Sequence, residues 1–457
     1  MRTREGFFRF TTADAIGRSC GSCGFWVAAA PFRECSTAKG IAMTATLALD
    51  FGTSNSAAAV LLDGKVRRLA IETSADTLPT AVFFPVDHGV MKVGTAATEA
   101  LIAGEEGRFM RAMKSVLGTA LFHEPRLIGG RRRTLSDIVT KFLVEVKQRA
   151  EAVAEQRFER VLSGRPVHFH TQNADRDARA EADLRACYKG AGFSGVAFRL
   201  EPEAAALAVH ELTRAGEIGL VVDIGGGTSD YSVFRSDGQN LTILATHGFR
   251  LGGTDFDRAI SMTHAMPWLG LGGQLRRGMG EGLLPVPRQI YLDLATWAKI
   301  PFLYTQETRV SVAAMVKLAV KPRLMRRLAK VLQAELGHDL AFAVEAGKIA
   351  ANGGAATAID MGRIEAGLAV PISAASVDRA LLRFREALGG AASEVCSMAG
   401  ITAADVGSVV LVGGSSLMRV VSDEVRARFP KAEMRASEPF TAVVDGLALA
   451  SRDAAFG

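Results

Sequence analysis

Two short runs of this sequence carry the residue types of a phosphate-handling site. Leu49-Asp50-Phe51-Gly52-Thr53-Ser54-Asn55-Ser56 follows an apolar run that begins at Ala45. Val222-Asp223-Ile224-Gly225-Gly226-Gly227-Thr228-Ser229-Asp230 follows Gly219-Leu220-Val221. Each reads as a strand that delivers an aspartate, turns on glycine and returns as a β-rich segment. Glycine admits positive φ and lets backbone N–H groups close on an anion, where a side chain would stand in the way. Thr53, Ser54 and Thr228 add short hydroxyls at the turns. An aspartate at each strand end suits Mg²⁺ held through water, because that ion keeps much of its hydration shell. One copy alone is equally a β-hairpin with a glycine turn; the repetition points to two similar lobes closing on one nucleotide. Neither run is a Walker loop, and neither contains G-x-G-x-x-G.

Positioning these residues takes a mixed α/β chain, and the apolar spacing describes one. Thr44 to Val60, Lys65 to Ile71 and Thr80 to Pro85 read as successive strands, punctuated at Asp63-Gly64 and Pro79. Leu135 to Phe158 has helical spacing with a start at Thr134 or Ser136, and Asp175 to Ala191 reads as a helix stopped near Gly192. Val161 to Phe169 returns to strand, interrupted at Gly164-Arg165-Pro166, and an alanine-rich helix is expected from Ala204 to Thr213. In the second half, strands at Gly219 and at Thr242 to Ala245 precede a helix opened by Leu251-Gly252-Gly253-Thr254-Asp255-Phe256-Asp257. Residues 265–345 form a more independent block. Val377 to Met398 reads as a helix, Val409 to Val412 as a buried strand, and Thr441 to Ser451 as a short helix.

At 457 residues, with 48% hydrophobic and 22% charged residues, the chain describes a globular protein with ample core. No stretch approaches the roughly 20 apolar residues of a membrane span, so no membrane partner is expected. The net charge of +6 raises nucleic acid as a partner. Its basic clusters, Arg131-Arg132-Arg133 and Lys321 to Lys330, lack interleaved aromatic residues, and the second reads as a solvated helix face; nucleic-acid binding is not expected. Five scattered cysteines, Cys20, Cys23, Cys35, Cys187 and Cys396, suit a reduced, cytoplasmic protein. Cys20 and Cys23 have the spacing of half a metal site or a redox pair, but no second pair follows, which argues against zinc. His168 and His170, flanking Phe169, read as structural. Residues 1–42 show no clear period, and translation is expected to begin at Met43.

Taken in order, these motifs resemble the actin-like ATPase superfamily, and within it the nucleotide-binding domain of DnaK-type heat-shock 70 chaperones. Glu201-Pro202-Glu203-Ala204-Ala205-Ala206 is similar to the family's connecting segment, Leu251 to Asp257 to its L-G-G-x-D-F-D motif, and Leu411-Val412-Gly413-Gly414-Ser415-Ser416 to its adenosine loop. Met266 to Gly273 looks most like the YegD-like branch, whose members lack a substrate domain. The resemblance implies a two-lobed α/β fold with duplicated ribonuclease-H-like sheets and four subdomains. Lobe I would take residues 43–218 and 435–457, and lobe II residues 219–434 with an insertion near 258–350, after an N-terminal extension over 1–42.

The same resemblance assigns roles. Asp50 and Asp223 would hold hydrated Mg²⁺; Gly52, Thr53 and Ser54 would bind β- and γ-phosphate, with Gly225, Gly226 and Gly227 clasping from the other side. Lys114 would neutralise charge on the transferring phosphoryl group, Glu201 would orient water, and Thr228 would sit near the γ-phosphate. Pro166 matches a switch proline; Gly252, Gly253, Gly413, Gly414 and Ser415 complete the nucleotide loops, and Glu345 and Lys348 would reach the ribose. Without the family, Glu345 and Lys348 would be a helix-surface ion pair. The implied activity is slow Mg-dependent hydrolysis of ATP to ADP, coupled to a protein client or partner that the sequence does not identify; oligomeric state is equally open.

Departures narrow the expectation. Where the family stacks arginines on the adenine, Ile349 and Leu417 stand here, and Phe440 replaces an acidic position. The chain stops soon after its last helix, so the usual peptide-binding domain is not expected. A small-molecule kinase or a filament protein of the same superfamily are the alternatives; the first would need an acceptor pocket and an additional carboxylate base.

Overall fold

The computed structural model describes residues 45–456 except 74, 88, 210–213, 238–239, 437 and 439. The readings of Cys20, Cys23, Cys35 and the Met43 start lie outside the described residues, as does the expected end of the alanine-rich helix at Thr213.

Two five-strand sheets share one plan. The first holds β1 (Thr46–Phe51), β2 (Asn55–Leu62), β3 (Lys65–Leu69), β4 (Arg160–Arg165) and β5 (Gly195–Leu200), in the order β5-β4-β1-β2-β3, with the short Leu78–Pro79 segment added beside β2. The second holds β6 (Ile218–Ile224), β7 (Ser229–Ser236), β8 (Leu241–Phe249), β9 (Ser408–Val412) and β10 (Glu433–Ala436), in the order β8-β7-β6-β9-β10. In each, an antiparallel meander (β1-β2-β3, β6-β7-β8) is extended on its first strand by two parallel strands. The expected duplication is therefore present strand for strand.

Alternation along these strands decides what packs where, since successive side chains point to opposite faces. Leu47, Leu49 and Phe51 of β1 face an outer core with Phe142 and Val146 of α1 (Leu135–Ala154) and Leu184 of α2 (Ala174–Gly190). Leu220, Val222 and Ile224 of β6 face a second outer core. The intervening residues, Ala48 and Val221, turn to a third core between the sheets, filled by α3 (Glu201–Ala208) and by the helix Ala442–Ala450 near the chain's end. That core is alanine-rich for a steric reason: Ala204, Ala205 and Ala206 let the two helices cross so closely that a Cβ on Gly446 would overlap the carbonyl of Ala204. The Asp-bearing ends of β1 and β6 are thus brought to one place.

Caps fall where the side chains specify. Thr134 and Asp137 form a reciprocal capping box at the start of α1, at 3.1 and 2.8 Å. The reading of Lys321 to Lys330 as a solvated face holds for Lys321, Arg323, Arg326 and Lys330, which are exposed, and needs correction at Arg327. Arg327 is buried, and its Nε donates to Glu365 at 2.6 Å while Nη1 reaches the Trp268 carbonyl, so this arginine ties two segments together. His170 is structural, donating through Nε2 to the Leu117 carbonyl at 2.7 Å. Among the described residues no helix is long and apolar enough to cross a membrane.

Candidate nucleotide site

Where the two sheets meet lies a cavity of about 300 Å³. Asp50, Gly52, Thr53 and Ser54 line it from the first sheet, and Asp223 with Gly225–Thr228 from the second. Lys114, Glu201, Glu345, Lys348, Gly413, Gly414 and Ser415 complete its wall. Gly252 and Gly253 do not line the cavity. They brace it from behind: Gly253 N–H donates to the Gly225 carbonyl at 3.0 Å and Thr254 N–H to the Gly226 carbonyl at 2.8 Å. Both positions exclude a side chain, because a Cβ would overlap the Gly226–Gly227 backbone or the Ser415 hydroxyl. Gly413, at φ 78°, turns the chain out of β9 in a region other residues rarely adopt, and so aims Gly414 and Ser415 at the cavity.

Lys114 enters on a short 3₁₀ turn, Met113–Val116, that follows Ala112 at φ 60°. That left-handed alanine is a strained non-glycine position, and it redirects the chain into the cavity. Only 7% exposed, Lys114 donates to Glu201 Oε1 at 2.6 Å. Burial works to lower its pKa, but Glu201 and Asp50 outweigh burial and hold the ammonium above its usual range. Glu201 opens α3, its charge at the positive end of the helix, with Pro202 fixing the first turn.

The sequence reading passed over Asp230. It lies directly across the hairpin from Asp223, so both carboxylates share a face. At 1% exposed it accepts the Val167 N–H at 2.7 Å, tying β7 to the segment after β4. The signal was available in the length of the glycine turn, which sets that register. Arg111, Asp257 and Trp297 were also missed, and they change the reading of two assigned residues. Glu345 and Lys348 do not pair with each other: Arg111 grips Glu345 at 2.9 and 3.3 Å, and Lys348 donates to Asp257 at 2.6 Å. Trp297 donates to Asp257 at 3.0 Å and stacks beneath the Arg111 guanidinium, 4.6 Å away. At the far end of the cavity stand the hydrophobic side chains of Ile349 and Phe440.

The donor set fits a hydrated divalent cation. Asp50, Asp223, Glu201 and Asp230 cluster around the one ammonium of Lys114, an excess of negative charge. Loss of hydration, then Glu201, Asp230 and Asp50, push the Asp223 carboxyl well above the carboxylate range. Among the described residues no three carboxylate, imidazole or thiol groups converge to ligate a metal directly, and hard oxygen ligands acting through water suit Mg²⁺.

These shifts have a sign that can be measured. Asp50 and Asp230 are each raised to about 7, first by loss of hydration and then by the Glu201 charge; Lys114 opposes both, as do the Val167 N–H and the Thr228 hydroxyl at Asp230. A carboxyl raised on folding binds more protons folded than unfolded, so stability falls as pH climbs from about 4 through about 7. The thermal midpoint without ligand is therefore expected to fall between about pH 4 and pH 7 and to level off above, with a smaller fall in Asp230→Asn. Scanning fluorimetry of both proteins checks it, and identical slopes would contradict it.

Residues 46–266 match the family model "Hsp70 protein". The "Chaperone protein DnaK" of Methanothermobacter thermautotrophicus is 32% identical over 223 residues, which is 47% of this chain and 35% of that protein. The chain thus spans about a third of that relative's length. The two like sheets form the mixed α/β architecture of the Hsp70 actin-like ATPase fold, and together with both matches they support the Hsp70/DnaK family for this chain.

Proposed function

We propose that this chain binds ATP with Mg²⁺ and hydrolyses it slowly, acting as a nucleotide-driven switch for a protein partner or client. The observation that carries the proposal is the convergence of two glycine loops, one from each sheet, on a cavity where buried Lys114 meets Asp50, Glu201 and Asp223. Gly225 has open space where a Cβ would stand, so its backbone is free to approach a phosphate. Asp50 and Asp223 would hold the metal through water; bound there, Mg²⁺ supplies charge neutralisation between phosphates.

Hydrolysis joins a water oxygen to the γ-phosphorus as the bond to the β–γ bridging oxygen breaks, leaving ADP, inorganic phosphate and a proton. Lys114 stands ready to offset charge on the phosphoryl oxygens, and such positioned charge is the larger part of phosphoryl-transfer catalysis. Glu201, fixed by its bond to Lys114, orients the attacking water. Thr53 and Thr228 present hydroxyls from opposite loops. Lobe I is assigned to residues 43–218 and 435–457 and lobe II to 219–434, which the separate outer cores support. The likeness of Met266–Gly273 to the YegD-like branch supports placement there. Buried free Cys187 and Cys396 support a reducing, cytoplasmic setting. Purified protein should release phosphate from ATP with magnesium and none with EDTA; magnesium-independent release would count against the reading.

Base discrimination should be weak. Ile349 is 62% exposed and Leu417 53% exposed, and neither offers the cation that would stack on a purine. ATP and GTP are expected to raise the thermal midpoint equally, and a preference for ATP of about tenfold or more in affinity would show a base contact made some other way.

A further inference from the structure

A groove of about 310 Å³ carries four arginines, Arg258, Arg288, Arg379 and Arg383, and no carboxylate. None of its residues lines the nucleotide cavity. One wall is the helix Gly253–Ile260 with the π turn Ser261–Ala265 that continues it, and the other is the helix Ala374–Met398. Arg288 and Leu292 enter from the helix Gln289–Leu294 and the residue before it. Met262, Leu292 and Ala380 supply apolar surface between the charges. A π turn interrupts a helix most often at a functional site, and this one brings Met262 and Thr263 into the groove. The two walls are tied together, since His264 Nε2 lies 3.0 Å from the Ser376 hydroxyl. The groove is therefore preformed.

Its charge is left unanswered from within the chain. Arg379 and Arg383 stand one helical turn apart, where like charges repel. Elsewhere this chain gives neighbouring arginines a shared carboxylate: Arg323 and Arg327 bond Glu365, and Arg385 and Arg428 bond Glu424. In the groove only Arg258 is answered, by Asp255 at 2.8 Å. Arg288, Arg379 and Arg383 have no ion-pair partner among the described residues, although Asp378 and Glu386 flank the pair on its helix. Asp293, beside Leu292, is engaged by Lys299 at 2.7 Å and by Gln289 at 2.9 Å. The Arg383 guanidinium lies over the Phe384 ring, 4.5 Å from its centre, which steadies it and leaves its in-plane N–H groups free to donate. Three exposed arginines thus converge on apolar surface with their charge uncompensated.

We propose that this groove docks an acidic segment of a partner protein, with carboxylates held by Arg288, Arg379 and Arg383 and apolar side chains against Met262 and Leu292. A guanidinium fork matches a carboxylate through two parallel hydrogen bonds. The volume takes a few side chains of a short segment, and no aromatic residue lines the groove for a nucleic-acid base to stack on. The test is fluorescence anisotropy with the nucleotide-free full chain and a labelled peptide that repeats Glu-Glu-Leu-Leu three times. The peptide should bind at low salt and weaken as salt rises, and the same peptide with lysine for glutamate should not bind. The double variant Arg379→Gln/Arg383→Gln should lose about tenfold or more in affinity, the usual size of lost charge-assisted hydrogen bonds. Arg131→Gln/Arg132→Gln, which removes the same charge from a different hairpin, should leave affinity unchanged. Removing a like-charge pair should also keep or raise the thermal midpoint of the groove variant, whereas a lower midpoint would make these arginines structural and overturn the proposal. So would absence of peptide binding, equal weakening by both double variants, or tighter groove-dependent binding of a single-stranded DNA of equal charge. ATP titrated into the same variants reports on the nucleotide cavity separately, so the two readings fail independently.

Discussion

Lys114→Ala is expected to slow phosphate release from MgATP by about two orders of magnitude or more, the cost of removing one positioned charge-stabilising group. The lysine is buried, it is held by Glu201 at 2.6 Å, and it is the cation at the acidic end of the cavity. Alanine removes the positive charge and also releases Glu201, so both electrostatic stabilisation and water positioning are lost together. A second consequence follows for the ligand-free chain. Asp50, Glu201, Asp223 and Asp230 then face one another with no compensating ammonium, and a buried charge left without its partner is costly. The thermal midpoint should therefore fall as well. Single-turnover hydrolysis and thermal unfolding on the same preparation measure both, and turnover equal to wild type would mean that the activity comes from a contaminant.

Asp223→Asn should abolish turnover with the opposite effect on stability. Asp223 is crowded by three like charges, and loss of hydration disfavours its ionised form further. Asparagine keeps the shape and removes the charge, so the ligand-free fold gains stability while the site loses a carboxylate that would hold Mg²⁺. Active sites store this kind of conflict, and relieving it trades function for stability. Turnover is expected to fall at least about a hundredfold, as for loss of one electrostatic contributor. A variant that is less stable and fully active would contradict both halves of the expectation.

Opposite signs for the two stability changes are the more discriminating outcome. Lys114 and Asp223 line one cavity, so a purely structural role for the cluster would make both substitutions destabilising.

What the sequence disclosed was whatever repeats locally. Asp50 and Asp223 stand at strand ends that apolar alternation marks, and the glycines after them have few other reasons to recur. The plan of both sheets followed, because a strand, a tight turn and a returning strand fix an antiparallel pair. Lys114 and Glu201 could be placed only through likeness to a family, since they sit on different elements and meet across the fold. Arg111, Asp257 and Trp297 stayed hidden for the same reason: each is a common residue type whose partner is distant in sequence. Asp230 was the avoidable omission, because the register of β6 against β7 sets it opposite Asp223. Glu345 and Lys348 illustrate the reverse hazard. One helical turn apart, they looked like partners, yet stronger oppositely charged groups on other elements claimed each of them.

Calorimetric titration of ATP into the full chain, with magnesium and again with EDTA, tests the shared nucleotide cavity most directly. One nucleotide per chain, with affinity lower by about tenfold or more without magnesium, is the expected result. No binding, or binding indifferent to magnesium, would contradict a site built from two phosphate loops and a cluster of carboxylates around Lys114.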